Sequence, residues 1–167
     1  ALYNGADKGR IYRVTPTATS KMNWCNKINL GNASTEELVK TLTSNNIWWR
    51  RNAQRLLMDR KDNSAIALLQ HLIDTTASPT AVVHALWTLE GFHALNGTTL
   101  TDALHHTTAG VRENAIQLAE LHLDEFPQLR EELFGLRNDP SAKVRYQLLC
   151  TLGSIKDAES KTVQQQL

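Results

Sequence analysis

The sequence has few of the residues that build disulfide, metal or haem sites. Its 167 residues include only two cysteines, Cys25 and Cys150, which lie far apart in the chain. Two isolated thiols provide no disulfide framework, no zinc spacing, no redox CxxC motif and no haem-attaching CxxCH motif. We therefore expect Cys150 to be an inert side chain packed in a buried helix, and Cys25 to be incidental.

Long apolar runs are also missing. No stretch approaches the roughly 18–20 consecutive apolar residues that a membrane-spanning helix needs, so we expect no direct membrane insertion. The N-terminus lacks the basic, apolar and small-residue order of a signal peptide. Because the chain begins at Ala1 rather than at a methionine, we expect an excised piece or a mature form. The composition, 41% hydrophobic and 21% charged, is that of an ordinary soluble domain with a core.

Catalytic patterns are absent as well. The six histidines form no HExxH or other metal spacing, and there are no paired carboxylates, no Ser/His/Asp arrangement and no glycine-rich phosphate loop. The sequence therefore predicts no catalytic residue, no cofactor and no metal ligand.

Positive and negative charges nearly cancel overall, but they are unevenly distributed along the chain. The formal net charge is +1, yet residues 1–62 carry 11 Lys/Arg against 5 Asp/Glu, and residues 63–167 carry 7 against 12. This asymmetry can orient a partner. It falls short of the dense basic stripe of a general nucleic-acid binder, so we expect no nucleic-acid partner.

What the sequence does contain is a repeat of helix pairs through residues 34–155. The second helices align on Ala53, Ala85, Ala115 and Leu148, at steps of 32, 30 and 33 residues. Apolar residues recur four places before and after each anchor, which keeps one helix face buried. They are Trp49, Ala81, Val111 and Val144 upstream, and Leu57, Leu89, Ala119 and Leu152 downstream. A period of about 20–50 residues is typical of a stacked array. We predict an all-α fold, a right-handed α-α superhelix or HEAT-like solenoid of about four helix pairs.

Capping residues and helix breakers set the expected bounds. Ser34 and Glu37 fit a capping box, and Ser78-Pro79 and Asp139-Pro140 each place a capping residue before a proline in the first helical turn. The predicted pairs are residues 34–42 with 48–57, 65–72 with 81–95, 100–105 with 111–123, and 129–136 with 144–152. We place the solenoid at residues 34–160 and a tail at 161–167, with a fifth helix that starts near residue 157 and frays.

The N-terminal region reads differently. Residues 10–14 alternate polar and apolar side chains of the kind that favour strands. A lone strand cannot satisfy its own backbone, so we expect it to pair with something outside this chain or to lie along the solenoid. Residues 15–33, rich in Thr, Asn and Ser, are predicted to be a linker that Trp24 and Ile28 hold against the first helix pair.

Seven side chains are candidates for an interaction surface: Trp48, Arg50, Arg51, Glu90, His93, Arg112 and Arg145. Three of them, Arg50, Arg112 and Arg145, lie three places before the anchors. The sequence leaves two interpretations of this ladder open: a stripe that binds anions, or structural pairs with turn carboxylates such as Asp139. Glu90 precedes a glycine at a helix end, where its charge opposes the helix dipole, so we expect it to have a partner.

The aromatic and histidine positions also leave two interpretations each. Trp48, Trp49 and Trp87 form either a stacking platform for a partner or, as is commoner for aromatics beside core positions, part of the core. His105 and His106 lie at a helix end, where a cation complements the helix dipole, so a capping role is favoured over a ligand role.

The units around GVR at 110–112 and DPSAKVR at 139–145 resemble HEAT-type repeats in a short form of about 30 residues. The segments GRIYRV at 9–14, WWRRNAQRLL at 48–57 and ALWTLEG at 85–91 resemble the middle of large bacterial membrane-bound dehydrogenases. In those proteins a β-propeller similar to quinoprotein sugar dehydrogenases precedes a HEAT-like array, and a c-type cytochrome domain often follows.

This resemblance implies a role rather than a reaction. Residues 10–14 would be the tail of the propeller's last strand, and the parent protein would be an exported or periplasmic redox enzyme. This region would be a non-catalytic scaffold whose protein partners are the flanking propeller and cytochrome modules. No catalytic residue carries over.

The alternative is an enzyme of the HEAT-like class, such as an alkylpurine DNA glycosylase or a bilin lyase. The near-zero net charge disfavours DNA, and so does Val82, which interrupts the arginine ladder. A spectral change on mixing with pigment would support bilin attachment.

Overall fold

The computed structural model describes residues 29–167. The predicted strand at 10–14, Cys25 and most of the predicted linker, including Trp24 and Ile28, lie outside the described residues. Within residues 29–167 the structure has nine α-helices, two short 3-10 helices and no strand. The predicted all-α class is therefore confirmed.

The helices follow one another in short steps. They are α1 (Thr35–Thr41), α2 (Ile47–Arg60), α3 (Ser64–Thr75), α4 (Pro79–Gly91), α5 (Gly97–Leu104), α6 (Ala109–Leu121), α7 (Leu129–Gly135), α8 (Ala142–Ser154) and α9 (Ala158–Gln164), with 3-10 helices at Leu30–Asn32 and Leu136–Asn138. Helix α2 packs on α4, α4 on α6 and α6 on α8, while α1 packs on α3 and α5 on α7. The second helices thus pack on one another in succession, and α1 with α2, α3 with α4 and α5 with α6 pack within their pairs.

The core lies along the anchor positions. All four anchors, Ala53, Ala85, Ala115 and Leu148, have no exposed surface. The apolar residues four places to either side are buried too, except Trp49, which is half-buried against the core. The predicted buried stripe of the second helices is confirmed, because a helix that packs on two neighbours must be apolar along one face.

Two of the predicted caps are present. The Ser34 backbone N–H donates to Glu37 Oε2 at 2.8 Å, and the Glu37 N–H donates to Ser34 Oγ at 3.2 Å, which completes the capping box of α1. Ser78 caps α4 ahead of Pro79, accepting a hydrogen bond from the Ala81 N–H at 3.4 Å. The starts of α1 and α4 therefore follow from local sequence.

The third predicted cap is wrong. Helix α8 begins at Ala142, with Ser141 rather than Asp139 at the capping position. The Asp139 carboxylate is buried and held by Arg112 of α6, and it also accepts a hydrogen bond from the Ser141 N–H at 2.8 Å. The Asp139 carboxylate therefore forms a tertiary ion pair with Arg112 instead of capping α8.

Two predicted bounds also differ. Helix α4 ends at Gly91 instead of residue 95, because His93 has φ 54° and the Ala94 N–H donates back to the Leu89 carbonyl at 2.9 Å. A residue in the left-handed region just after a helix closes its last turn. Helix α9 is formed and capped by Asp157, which accepts from the Ser160 N–H at 2.6 Å. It crosses the predicted boundary at residue 160.

The described part of the linker is tied to α2. Residues 30–32 form a 3-10 helix, and the Arg60 guanidinium donates to the carbonyls of Leu30 at 3.3 Å, Gly31 at 2.9 Å and Ala33. One side chain from the end of α2 therefore fixes the chain where it enters the first helix pair.

Candidate interaction surface

The first turn of α2 presents large apolar side chains to solvent. The Asn46 side chain caps the helix by accepting from the Trp48 N–H at 2.9 Å. Ile47 is 59% exposed and Trp48 is 57% exposed, and Trp48 meets Trp49 edge-on with ring centroids 4.5 Å apart. The core interpretation is wrong for Trp48. It is confirmed for Trp49 and Trp87, which pack against the core.

Basic side chains accompany this exposed aromatic. Arg51 and Arg55 of the same helix are exposed, and Asp59 is the acidic residue of α2. An exposed tryptophan beside arginines combines the two residue types that contribute most often to protein–protein binding energy.

A cavity of about 300 Å³ opens between the N-terminal turns of α2, α4 and α6. It is lined by apolar and polar side chains, among them Arg50, Pro79, Val83, His84, Val111 and Asn114. His84 Nδ1 lies 2.8 Å from Gln54 Oε1, and burial first, then the charges of Arg50 and Arg51, lower the pKa of His84. His84 is therefore neutral at pH 7, and Arg50 supplies positive charge at this cavity.

In three of the four helix pairs, an arginine of the ladder binds the loop between the two helices. Each arginine donates through NH1 to the carbonyl six residues earlier: Arg50 to Ser44 at 2.6 Å, Arg112 to His106 at 2.8 Å and Arg145 to Asp139 at 2.7 Å. The guanidinium group thus closes the turn between the first and second helix of its pair, which gives the structural interpretation a physical basis. The Nε of Arg50 is buried and makes no hydrogen bond among the described residues.

Arg112 differs from the other two because it also binds a carboxylate. Its Nε lies 2.7 Å from Asp139 Oδ2 and its NH2 lies 2.8 Å from Asp139 Oδ1, and both side chains are largely buried. The sequence suggested Asp139 as a partner of nearby Arg145. The structure pairs the Asp139 carboxylate with Arg112 from the preceding helix pair, and Arg145 takes the Asp139 carbonyl.

The expected partner of Glu90 is present, and it is a histidine. His122, which ends α6, places Nε2 2.6 Å from Glu90 Oε2 and Nδ1 3.0 Å from Glu125 Oε2. A neutral imidazole has one N–H, so both hydrogen bonds to ionised carboxylates form only when the ring is protonated. Burial lowers the pKa of His122, but the hydrogen bonds and the negative charges of Glu90 and Glu125 together raise it by more, so the pKa lies above its ordinary value. This cluster links the C-terminal ends of α4 and α6.

The His122 cluster predicts a loss of stability on the alkaline side. Because the folded-state pKa of His122 is raised above the ordinary 6.5, its contribution is fully present below about pH 6.5 and is lost as the pH rises through the folded-state value. His122→Gln removes this ionisation. We expect the wild-type protein to lose stability, relative to His122→Gln, by about 1 kcal/mol between about pH 5.5 and about pH 8.5, as measured by urea unfolding.

The matched control is His71→Gln, since His71 is an exposed histidine on α3. It should keep the wild-type pH dependence. Parallel stability curves for the wild type and His122→Gln would show that the histidine is not charged in the fold.

The remaining histidines of interest lie at helix ends. His105 follows the last residue of α5, as predicted, and its Nε2 lies 2.7 Å from Glu132 Oε2 on α7. His106 Nδ1 accepts a hydrogen bond from the Thr108 N–H at 2.9 Å, next to the start of α6. His93 is exposed just beyond α4.

The seven candidate residues do not form one surface. The tryptophan and the four arginines lie in the first two turns of α2, α6 and α8, whereas Glu90 and His93 lie at and just beyond the C-terminal end of α4. Helices of this length separate their two ends by roughly 20 Å. Of the two groups, the N-terminal one contains exposed Trp48 and Arg51, while Glu90 is already paired with His122.

Sequence reasoning missed three exposed side chains. Ile47 lies beside Trp48, and Tyr146 and Leu149 of α8 are 69% and 41% exposed. Cys150 is exposed too, so its predicted burial is wrong. The repeat does not predict the exposure of Leu149, because Leu149 lies one place after its anchor, where Leu86 and Ile116 are fully buried in α4 and α6.

The described residues hold no group of three or more His, Cys, Asp or Glu side chains arranged to bind a metal ion. Among the helices of residues 29–167, none combines the length and apolar character required to span a bilayer. Compared with models of known protein families, the chain gives no match, and compared with curated proteins it gives none either.

Proposed function

We propose that residues 34–160 form a HEAT-like α-solenoid that acts as a non-catalytic protein-interaction or interdomain scaffold. Support for the solenoid comes from the repeated contacts of α2 with α4, α4 with α6 and α6 with α8. The observation that carries the interaction role is Trp48, which is 57% exposed on the same helical turn as Arg50, a residue that lines the cavity of about 300 Å³. Such a cavity beside an exposed tryptophan suits the binding of a protein segment.

The physical argument rests on what an exposed tryptophan can gain. Burying an aromatic side chain of this size in a partner's pocket removes a large apolar area from water, and such residues dominate interface energetics. Arg51 and Arg55 add positive charge around it. We infer that the partner presents a pocket or apolar segment flanked by acidic side chains, because charge complementarity speeds encounter and fixes orientation.

The partners we propose are the propeller and cytochrome modules of the same polypeptide, in an exported or periplasmic bacterial dehydrogenase. This assignment follows from the resemblance of residues 9–14, 48–57 and 85–91 to that architecture. It is tested first in the coding region on either side of this sequence. An upstream propeller and a downstream CxxCH motif support the interdomain role, and their absence would leave a free-standing scaffold.

The binding test uses the chain and its flanking modules produced separately. We expect Trp48→Ala combined with Arg51→Glu to weaken their association by about 10-fold to 100-fold, the loss typical of hot-spot residues. Isothermal titration calorimetry would measure it. Leu121→Ala is the matched control, since Leu121 is 62% exposed at the other end of α6. Unchanged binding by the double variant, or an equal loss in the control, would contradict the assigned surface.

The enzymatic alternative has its own readout. A salt-sensitive gel shift of labelled duplex DNA would favour a glycosylase-like role, since phosphate contacts weaken steeply with salt. A change in the absorption spectrum of a bilin on mixing would favour a lyase. Either result would replace the scaffold proposal.

A further inference from the structure

The fold pairs one arginine of its ladder with a carboxylate from the next helix pair. Arg112 donates through NH1 to the His106 carbonyl, and its Nε and NH2 lie 2.7 and 2.8 Å from the two carboxylate oxygens of Asp139. Asp139 lies nine places before the anchor of its pair, in the loop that leads into α8. A ladder arginine that is held through NH1 can therefore present its other N–H groups to a carboxylate.

Arg50 is held in the same way but has no carboxylate partner among the described residues. Its NH1 donates to the Ser44 carbonyl at 2.6 Å, whereas its Nε is buried without a hydrogen bond and its NH2 makes none with the described residues. Nine places before the next anchor stands Thr76 instead of an acid. The Thr76 hydroxyl accepts from the N–H two places later at 3.2 Å, as the Asp139 carboxylate also does. Thr76 is thus the counterpart of Asp139, but it has no charge to offer Arg50.

Arg50 lines the cavity of about 300 Å³ that lies between three consecutive second helices, inside the described array. Its walls include the apolar side chains of Pro79, Val83 and Val111, and no aspartate or glutamate of the described residues lines it. Helices α4 and α6 begin at this cavity, so the positive ends of their dipoles add to the charge of Arg50. The cavity is therefore partly apolar and positively charged, and its volume is at the small end of ligand sites.

We propose that this cavity, called here the Arg50 cavity, is a binding site for a carboxylate group carried on a short apolar stem. The carboxylate would accept hydrogen bonds from the Arg50 guanidinium, as Asp139 does from Arg112, and the stem would lie against the apolar walls. A guanidinium that is already held through NH1 loses little conformational freedom on binding. An unpaired buried donor is costly, so pairing it with the ligand adds to the gain.

The surrounding surface favours an acidic side chain of a protein segment as the source of the carboxylate. Exposed Trp48 and Arg51 lie on the same turn as Arg50, and both residue types suit a protein partner. This choice of source rests on the proposed scaffold function, whereas the carboxylate site itself does not. The chain offers one competing source in residues 1–28, where Asp7 is the single acidic residue.

The first experiment titrates the whole protein with butyrate, which has the carboxylate and methylene groups of a glutamate side chain, at constant ionic strength. Butyramide is the matched neutral probe. NMR follows the Nε–H signal of Arg50 and the pKa of His84. Burial first, and then the charges of Arg50 and Arg51, lower that pKa, so a bound carboxylate should raise it. We expect saturable shifts with butyrate, and binding at least about 10-fold weaker with butyramide.

Thr76→Asp supplies the missing carboxylate from within the chain. It should shift the Arg50 Nε–H signal without any probe and weaken butyrate binding by at least about 10-fold, because the introduced carboxylate competes for the guanidinium. Thr76→Asn, which keeps an acceptor for the loop N–H but adds no charge, should bind butyrate as the wild type does. Arg50→Gln should lose binding. Arg145→Gln, which removes a ladder arginine with the same NH1 contact, should not.

Equal shifts with butyrate and butyramide would overturn the proposal, and so would butyrate binding that Thr76→Asp and Arg50→Gln leave intact. Tighter binding of inorganic phosphate than of butyrate at Arg50 would also overturn it, because the ligand would then be a phosphate. Tighter butyrate binding by Asp7→Asn than by the wild type would overturn it as well, because the chain's own carboxylate would then be the occupant.

The flanking modules test the source of the carboxylate. Thr76→Asp should weaken their association with the chain by about 10-fold, and unchanged association would contradict an acidic partner segment. Trp48→Ala should weaken the same association but leave butyrate binding unchanged, since Trp48 does not line the Arg50 cavity. The scaffold function and the carboxylate site can therefore fail separately.

Discussion

Replacing Asp139 by alanine is expected to destabilise the protein by about 3–5 kcal/mol, the cost of removing one partner of a buried ion pair. The loss is large because Arg112 stays behind in a largely buried position, with its Nε and NH2 hydrogen bonds, at 2.7 and 2.8 Å, both gone. The Ser141 N–H before α8 also loses its acceptor. One substitution therefore loosens the contact between α6 and the start of α8.

Urea unfolding of the wild type, Asp139→Ala and Arg112→Ala gives the measurement. The two single variants should each lose several kcal/mol, and the double variant should lose much less than their sum, since the two residues act as a pair. Arg130→Ala is the matched control, because Arg130 pairs with Asp157 across a more exposed contact. It should cost no more than about 1 kcal/mol. Additive losses for Asp139 and Arg112 would contradict the pairing.

The same pair sets a dependence on acid. The hydrogen bonds from Arg112 lower the pKa of Asp139, and although burial raises it, the Ser141 N–H and the charges of Arg112 and Arg145 lower it further. Because the folded-state pKa lies below the ordinary 3.8, the contribution is present above about pH 3.8 and is lost as the pH falls through the folded-state value. Asp139→Asn should lack this part of the acid transition.

The register of the second helices could be predicted from sequence because burial on one helix face is periodic. Ala53, Ala85, Ala115 and Leu148 are buried since the same offset faces the same neighbour in each pair. The Ser34 and Ser78 caps could be predicted because a cap depends only on the next few residues.

The misses share a physical cause, which is contact with residues distant in sequence. Asp139 looked like a local cap, but Arg112, 27 residues earlier, binds it instead. The early end of α4 requires His93 to adopt a left-handed conformation, which a histidine in the sequence does not predict. Glu90 was expected to have a partner, yet its identity as His122 depends on where α6 ends.

The solvent exposure of side chains on α8 is the other property that the repeat pattern could not predict. The offsets of Leu149 and Cys150 are partly or fully buried in the middle pairs because a neighbouring helix covers them. At the end of the described array the same offsets meet solvent. Trp48 differs, because it lies five places before its anchor, where Thr80, Gly110 and Lys143 are exposed too.

Replacing Leu86 by alanine is expected to cost about 2–5 kcal/mol, whereas the same change at Leu149 should cost less than about 1 kcal/mol. Both leucines lie one place after an anchor, so helix propensity and the chemistry of the substitution are the same. Leu86 is fully buried between α4 and α6, and its truncation leaves a cavity lined by groups that cannot all close in. Leu149 is 41% exposed, so its truncation opens to solvent instead of leaving a closed cavity.

The measurement is urea unfolding of both variants, with Ile116→Ala as a second buried control and Leu121→Ala as a second exposed one. Equal costs for Leu86→Ala and Leu149→Ala would contradict the exposure of Leu149, because only burial separates two leucines at the same place in the repeat.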